Sequence, residues 1–163
     1  MIEALIATLT HTRNQTLKLV ADLSDGQLVC QPAPGTNHPA WVLGHLLWVE
    51  YRLLNTIDPN APAAPADPAW AETYGGKSVP VADKAKYQPK GFYLAELAQT
   101  RAKIIDRLHA MTASDLGAPH PDPARRDRFP TVLHAVMLYG TWHEAYHAGQ
   151  LSAWRRVQGL PPV

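Results

Sequence analysis

The chain has one cysteine, Cys30, so no disulfide can form within it and packing alone must hold the fold. Long apolar runs are missing too. Nothing approaches the roughly 20 consecutive residues that a membrane-spanning helix needs. Neither sign of charge dominates: 15 Lys and Arg against 14 Asp and Glu leave a formal net charge of +1. Without a basic cluster, nucleic acid is not an expected partner. The one basic run, Arg125-Arg126-Asp127-Arg128, is broken by an acid and reads as a solvated loop. Residues 1–5 lack the basic flank and small-residue cleavage site of a signal peptide. With the lone cysteine, this makes the cytoplasm the expected compartment. There is no internal repeat, and no alternating apolar pattern that would support a sheet.

Proline and histidine are plentiful, at 15 and 8 residues. The prolines punctuate the chain and the apolar spacing fills the gaps between them. Leu5, Ile6, Leu9, Leu17, Leu19, Val20 and Leu23 predict a helix over 2–23. Thr36-Asn37-His38-Pro39 is a helix-start signal, with capping side chains before a proline whose missing N–H costs nothing in a first turn. The helix it opens, over 39–55, is apolar around most of its circumference and is therefore expected to be central. Leu94, Leu97, Ala98, Arg101, Ile104, Ile105 and Leu108 give the stripe of a third helix over 91–111. A fourth runs from 131 to 157, between Pro130 and Gly159. The connections at 58–90 and 114–130 are proline-rich; disorder competes with packing for 60–68, whereas Trp70 and Tyr74 favour docking of the remainder of the first connection. The expectation is a single domain over 1–163, an all-α four-helix bundle with long proline-rich connections.

The chemistry centres on His143-Glu144-Ala145-Tyr146-His147. Four residues of α-helix advance about 400° and rise about 6 Å, so both imidazoles leave one face, a turn apart. Two such rings can chelate a divalent metal, although the pair alone leaves coincidence open. The same five letters spell the zinc-peptidase motif, with Glu144 as base. That reading fails downstream: residues 148–163 contain no Asp, Glu, His or Cys to complete the site. A third ligand must come from upstream. His45 is the best candidate, because it sits mid-helix among apolar residues where an unpaired polar ring is costly. A lone histidine there would ordinarily be satisfied by a neighbour; the pair on the fourth helix shifts the balance towards a ligand. His38 is about 10 Å further along the same helix face, too far to share the ion, and reads as a helix-start or pocket-mouth group. His134 faces elsewhere, and His11, His109 and His120 read as surface or structural residues.

Residues 39–50, Pro-Ala-Trp-Val-Leu-Gly-His-Leu-Leu-Trp-Val-Glu, together with His143-x-x-x-His147 and the adjoining Ala-Gly-Gln-Leu, resemble the DinB/YfiT-like superfamily of metalloenzymes. The resemblance runs from the first helix to the fourth. It implies a four-helix bundle whose divalent metal is held by His45, His143 and His147. It also implies a homodimer. Characterised relatives include S-transferases that use bacillithiol or mycothiol and a mycothiol-dependent maleylpyruvate isomerase.

The expected protein is thus a metal-dependent enzyme acting on a small molecule, by thiol transfer or hydrolysis, with a low-molecular-weight thiol as a second partner. The alternatives are a non-catalytic metal- or ligand-binding bundle, and an interaction protein whose histidines bind no metal. Zinc and nickel both suit imidazole ligands. Glu144, turned about 100° from His143, is a candidate base, with an interhelical ion pair as the competing role. Glu50 receives no catalytic role. Trp41, Trp48 and Tyr139 are candidates for a substrate pocket, against a plainer role in core packing. Cys30 reads as a small buried hydrophobe rather than a nucleophile, and Arg155-Arg156 as a complement to the helix dipole.

Overall fold

The computed structural model describes residues 1–61 and 68–163. Two prolines of the long connection, Pro62 and Pro65, and most of the stretch for which disorder was considered lie outside the described residues. Seven α-helices are named here: α1 (Ile2–Val20), α2 (Pro39–Ile57), α3 (Pro68–Tyr74), α4 (Lys90–His109), α5 (Ala113–Gly117), α6 (Val132–Met137) and α7 (His143–Val157). A π-helical turn, Leu138–Trp142, joins α6 to α7 in one continuous rod. With that rod, α1, α2 and α4 form the four-helix bundle. α2 packs along α4, and α1 along α7. No strand occurs among the described residues.

The start signal of α2 acts as its sequence implies. His38 Nδ1 accepts from the Trp41 amide at 3.3 Å, and Pro39 takes the first helical position. The other nitrogen, Nε2–H, donates to the Val81 carbonyl at 3.1 Å and ties the long connection to the helix start. Fourteen of the 19 residues of α2 are buried, which makes it the central rod. One of them, Gly44, is required by packing. A Cβ there would fall among the ring atoms of Tyr74, so α3 can lie against α2 only because that atom is missing.

The helix predicted over 131–157 is interrupted. The π turn adds a residue to one turn, which rotates everything before it by about 100° relative to α7. Gly140 permits it, since its missing side chain leaves room for Leu9 of α1 and Leu53 of α2. The apolar spacing runs unbroken through this point, so the sequence carries no sign of the interruption. Two short helices, α3 and α5, lie in stretches read as connections; α5 is closed by a capping box between Thr112 and Asp115.

Four charged side chains cross the centre of the bundle, one from each rod: Arg13, Glu50, Arg101 and Glu144. Arg13 Nε donates to Glu144 Oε1 at 2.7 Å, and its Nη2 lies 2.9 Å from Glu50 Oε1. Arg101 donates to Glu144 Oε2 at 2.6 Å through Nη2 and to Glu50 Oε1 at 2.6 Å through Nε. The remaining nitrogens reach the Leu97 and Leu9 carbonyls. Two cations and two anions cancel, and Glu144 meets a guanidinium on each oxygen, so the charges can stay buried. Glu50 meets both arginines through Oε1 alone, its Oε2 having no partner among the described residues. Arg101 had passed for part of the α4 stripe because it does occupy a core position.

Further along α7, Arg155 is buried, pairs with Asp22, and donates to the Leu19 carbonyl at the end of α1. It is an interhelical clamp; Arg156 beside it is exposed.

Candidate metal centre

His45 comes from the middle of α2, His143 opens α7, and His147 lies one turn later. Their Nε2 atoms converge. His143 Nε2 lies 3.2 Å from Nε2 of His45 and 3.2 Å from Nε2 of His147. All three ligand atoms lie within 4.8 Å of one another. Two nitrogens bound to one ion at 2.0–2.1 Å sit about 2.8–3.4 Å apart for octahedral to tetrahedral angles. The separations to His143 fall inside that interval. The three residues could therefore hold a metal ion.

The hydrogen bonds behind two of the rings decide which nitrogen is free. His45 Nδ1–H donates to the Tyr74 carbonyl at 2.6 Å. A carbonyl only accepts, so the proton belongs on Nδ1 and the Nε2 lone pair faces the cluster. His147 Nδ1–H donates to Gln150 Oε1 at 2.8 Å, and the same oxygen accepts from Asn37 Nδ2 at 3.0 Å. These acceptors fix tautomer and ring orientation as the outer partners of metal-bound histidines do. His143 Nδ1, by contrast, is buried without a partner among the described residues.

Burial holds all three imidazoles below their ordinary range. His143 is pushed down to about 3, by burial first and then by His147 and His45. His147 falls to about 4, by burial and His45. His45 is lowered by burial, partly opposed by its bond to Tyr74. The rings are neutral at neutral pH, the form that ligates metal. Trp41 stacks on the His45 ring, with centroids 4.6 Å apart and planes 9° from parallel, and its Nε1 donates to Ser78 Oγ at 2.8 Å.

Gln150 is not itself a ligand and bonds His147 and Asn37, so its replacement tests how far ring orientation matters. Gln150→Leu is expected to weaken zinc binding by about 10- to 100-fold, read by competition with a chromophoric chelator. Unchanged affinity would show that the His147 ring is held without it.

A cavity of about 340 Å³ opens beside the cluster, lined by His45, Trp48, Val49, Arg52, Gly76, Arg125, Arg128, Tyr139 and His143. Trp48 and Tyr139 thus border the space next to the histidines, whereas Trp41 packs behind His45. Glu144 is 1% exposed and engaged by Arg13 and Arg101, with its carboxylate committed to the ion-pair quartet. Glu50 belongs to the same quartet. His38 is the α2 cap, away from the converging nitrogens. His134 is exposed and bonded to Thr131, and Cys30 is half-buried with its carbonyl accepting from Trp154 Nε1.

The run Arg125–Arg128 is a solvated loop as read, with Arg128 exposed and Arg125 half-buried, yet both arginines also line the cavity, Arg125 reaching Tyr139 of the π turn. Periodicity could not reveal this, since a loop's fold-back has no period. Arg52 was visible in principle: it falls on the His45 face of α2, two turns along.

A family model of the DinB superfamily matches residues 8–151, a span that holds all three histidines. No curated protein matches the chain.

Proposed function

Since the chain belongs to the DinB superfamily, we propose that it is a divalent-metal enzyme acting on a small molecule, by transfer of a low-molecular-weight thiol or by hydrolysis. One observation carries the reading: three neutral imidazoles turn their Nε2 atoms towards a common point, two of them locked from behind by acceptors. His45, His143 and His147 would hold the ion, and zinc or nickel suits the donor set. When bound, such an ion supplies a Lewis acid that favours the deprotonated form of a water or thiol.

The chain's own groups do the rest. Tyr74 and Gln150 orient the ligand rings. The Trp41 indole shields His45 on one face, while Trp48 and Tyr139 wall the space a substrate would enter. Glu144 is not offered as the base, because both of its oxygens are taken by guanidiniums. A homodimer and a cytoplasmic setting complete the proposal on the strength of the family and the lone cysteine. No helix among the described residues is long and apolar enough to cross a membrane.

The test begins with elemental analysis of protein purified without a histidine tag. About one metal ion per chain is expected after reconstitution, and next to none in a His143→Ala/His147→Ala variant. Equal metal content in both would sink the site. Rates with bacillithiol, mycothiol and simple esters should then depend on the metal; identical rates in loaded and chelator-treated protein would overturn catalysis and leave a binding bundle.

A further inference from the structure

The cavity beside His143 collects positive charge that the ligand cluster does not need. Arg52 reaches it from α2, and Arg125 and Arg128 from the connection before α6. No carboxylate lines it. Among the described residues, neither Arg52 nor Arg128 has an acid within ion-pair distance; only Arg125 does, at 2.8 Å from Asp122. An adjoining cavity of about 420 Å³ shares Arg52, Arg125 and Tyr139, and contains that same Asp122 as its one acid.

Arg52 and Arg125 are half-buried and Arg128 is exposed, and each has a contact that orients it. The Arg52 guanidinium lies 4.6 Å from the centroid of the Trp48 ring, and that of Arg128 lies 5.2 Å from the Phe129 ring. Arg125 Nη1 donates to Tyr139 Oη at 3.4 Å. Cation–π contact fixes a guanidinium without neutralising it, and leaves the N–H fork open. Holding such charges together is unfavourable: burial and then Arg125 lower the pKa of Arg52, partly opposed by Tyr139, which also hydrogen-bonds it, and by Asp122. An anion bound between them would relieve the repulsion. Planar forks favour carboxylate or phosphate oxygens, taken two at a time. Trp48, Val49 and Tyr139 offer apolar walls to the carbon body, and the volume suits a small ligand.

We propose that this cavity binds the anionic end of a small organic acid, held by Arg52, Arg125 and Arg128, with its body directed towards the histidine cluster. This rests on the reading of that cluster as the reaction centre and names its substrate class.

The probes are benzoate, phenyl phosphate and the neutral isostere benzamide. Each is titrated by calorimetry into chelator-treated protein, so that ligation to a metal contributes nothing. Benzoate or phenyl phosphate should bind and benzamide should not; whichever anion binds more tightly identifies the headgroup. Arg52→Gln and Arg128→Gln should each weaken anion binding by about tenfold or more. Arg52→Lys should fall between, and exposed Arg156→Gln should match wild type. The Arg52 and Arg128 Nε–H resonances should move on addition of the anion. The proposal is overturned if benzamide binds as well as the anions, if the Arg variants keep wild-type affinity, or if neither anion binds at about 10 mM. Metal uptake is measured separately, on reconstituted protein that has not met chelator. Anion binding by the chelator-treated protein together with failure of the reconstituted protein to take up metal would reject the proposed function and keep this site; metal uptake without anion binding would do the reverse.

Discussion

Glu144→Ala is expected to lower the unfolding free energy by about 3–5 kcal/mol, the cost of breaking a buried ion pair from one side. The carboxylate is 1% exposed and accepts from both Arg13 and Arg101. Removing it leaves two buried guanidiniums facing Glu50 alone, and the quartet changes from neutral to a net positive charge in a region with little water. Domains of this kind are stable by about 5–15 kcal/mol, so the loss is a large share of the total. Urea denaturation of metal-free protein measures it. Glu144→Gln keeps the shape and loses the charge, and should still cost more than 1 kcal/mol, about the level of one net hydrogen bond. A double-mutant cycle supplies the decisive arm. Arg13→Met/Glu144→Leu should cost clearly less than the sum of its single changes, because the second substitution removes a charge that the first left unpaired. Losses below about 1 kcal/mol in the single variants would reject the quartet as the interlock of the bundle. A general base predicts another pattern, lost activity at unchanged stability.

The quartet also marks where sequence reasoning reaches its limit. The four rods were legible because their apolar residues repeat at helical spacing and prolines bracket them. His143 and His147 were legible because a four-residue interval fixes a shared face, and His45 because a polar ring interrupted an apolar helix. Each of these signals is local. An interhelical ion pair was already one of the roles open to Glu144, but its pairing with Arg13 spans 131 positions, and nothing in either neighbourhood names the partner. The π turn was hidden for another reason. Inserting one residue into a turn shifts the helical phase by about 100°, yet at a position apolar on both sides the pattern reads the same before and after. Arg125 and Arg128 show a third kind of loss. The run is solvated, as its charges suggest, and it is the path of the loop, ending at buried Phe129, that brings two of its arginines to the cavity.

His143→Leu should cost little stability without metal and much with it. With Nδ1 protonated in His45 and His147, both present Nε2 lone pairs to His143. If His143 carries its proton on Nε2, it can satisfy one neighbour well at a time and its buried Nδ1 lone pair has no donor. If the proton is on Nδ1, that N–H is unsatisfied and three lone pairs converge. In either tautomer, at least one polar nitrogen stays buried and unpaired in metal-free protein, at a cost of about 1–3 kcal/mol. Leucine removes both His143 nitrogens at similar volume but leaves Nε2 of His45 and of His147 without a donor. The two costs offset, so the variant should melt within about 2–4 °C of wild type in excess chelator, about 1 kcal/mol. Saturating zinc separates the two. Free metal at about 1,000 times its dissociation constant adds about 4 kcal/mol to the wild type, and the variant, reduced to two ligands, gains little. Thermal unfolding in chelator and in zinc gives the four values needed. A variant several kcal/mol less stable than wild type in chelator would mean that the ring is held for packing, and equal stabilisation of both by zinc would place the ion elsewhere. A difference that opens only with zinc arises if the unpaired nitrogens are kept because an ion uses them.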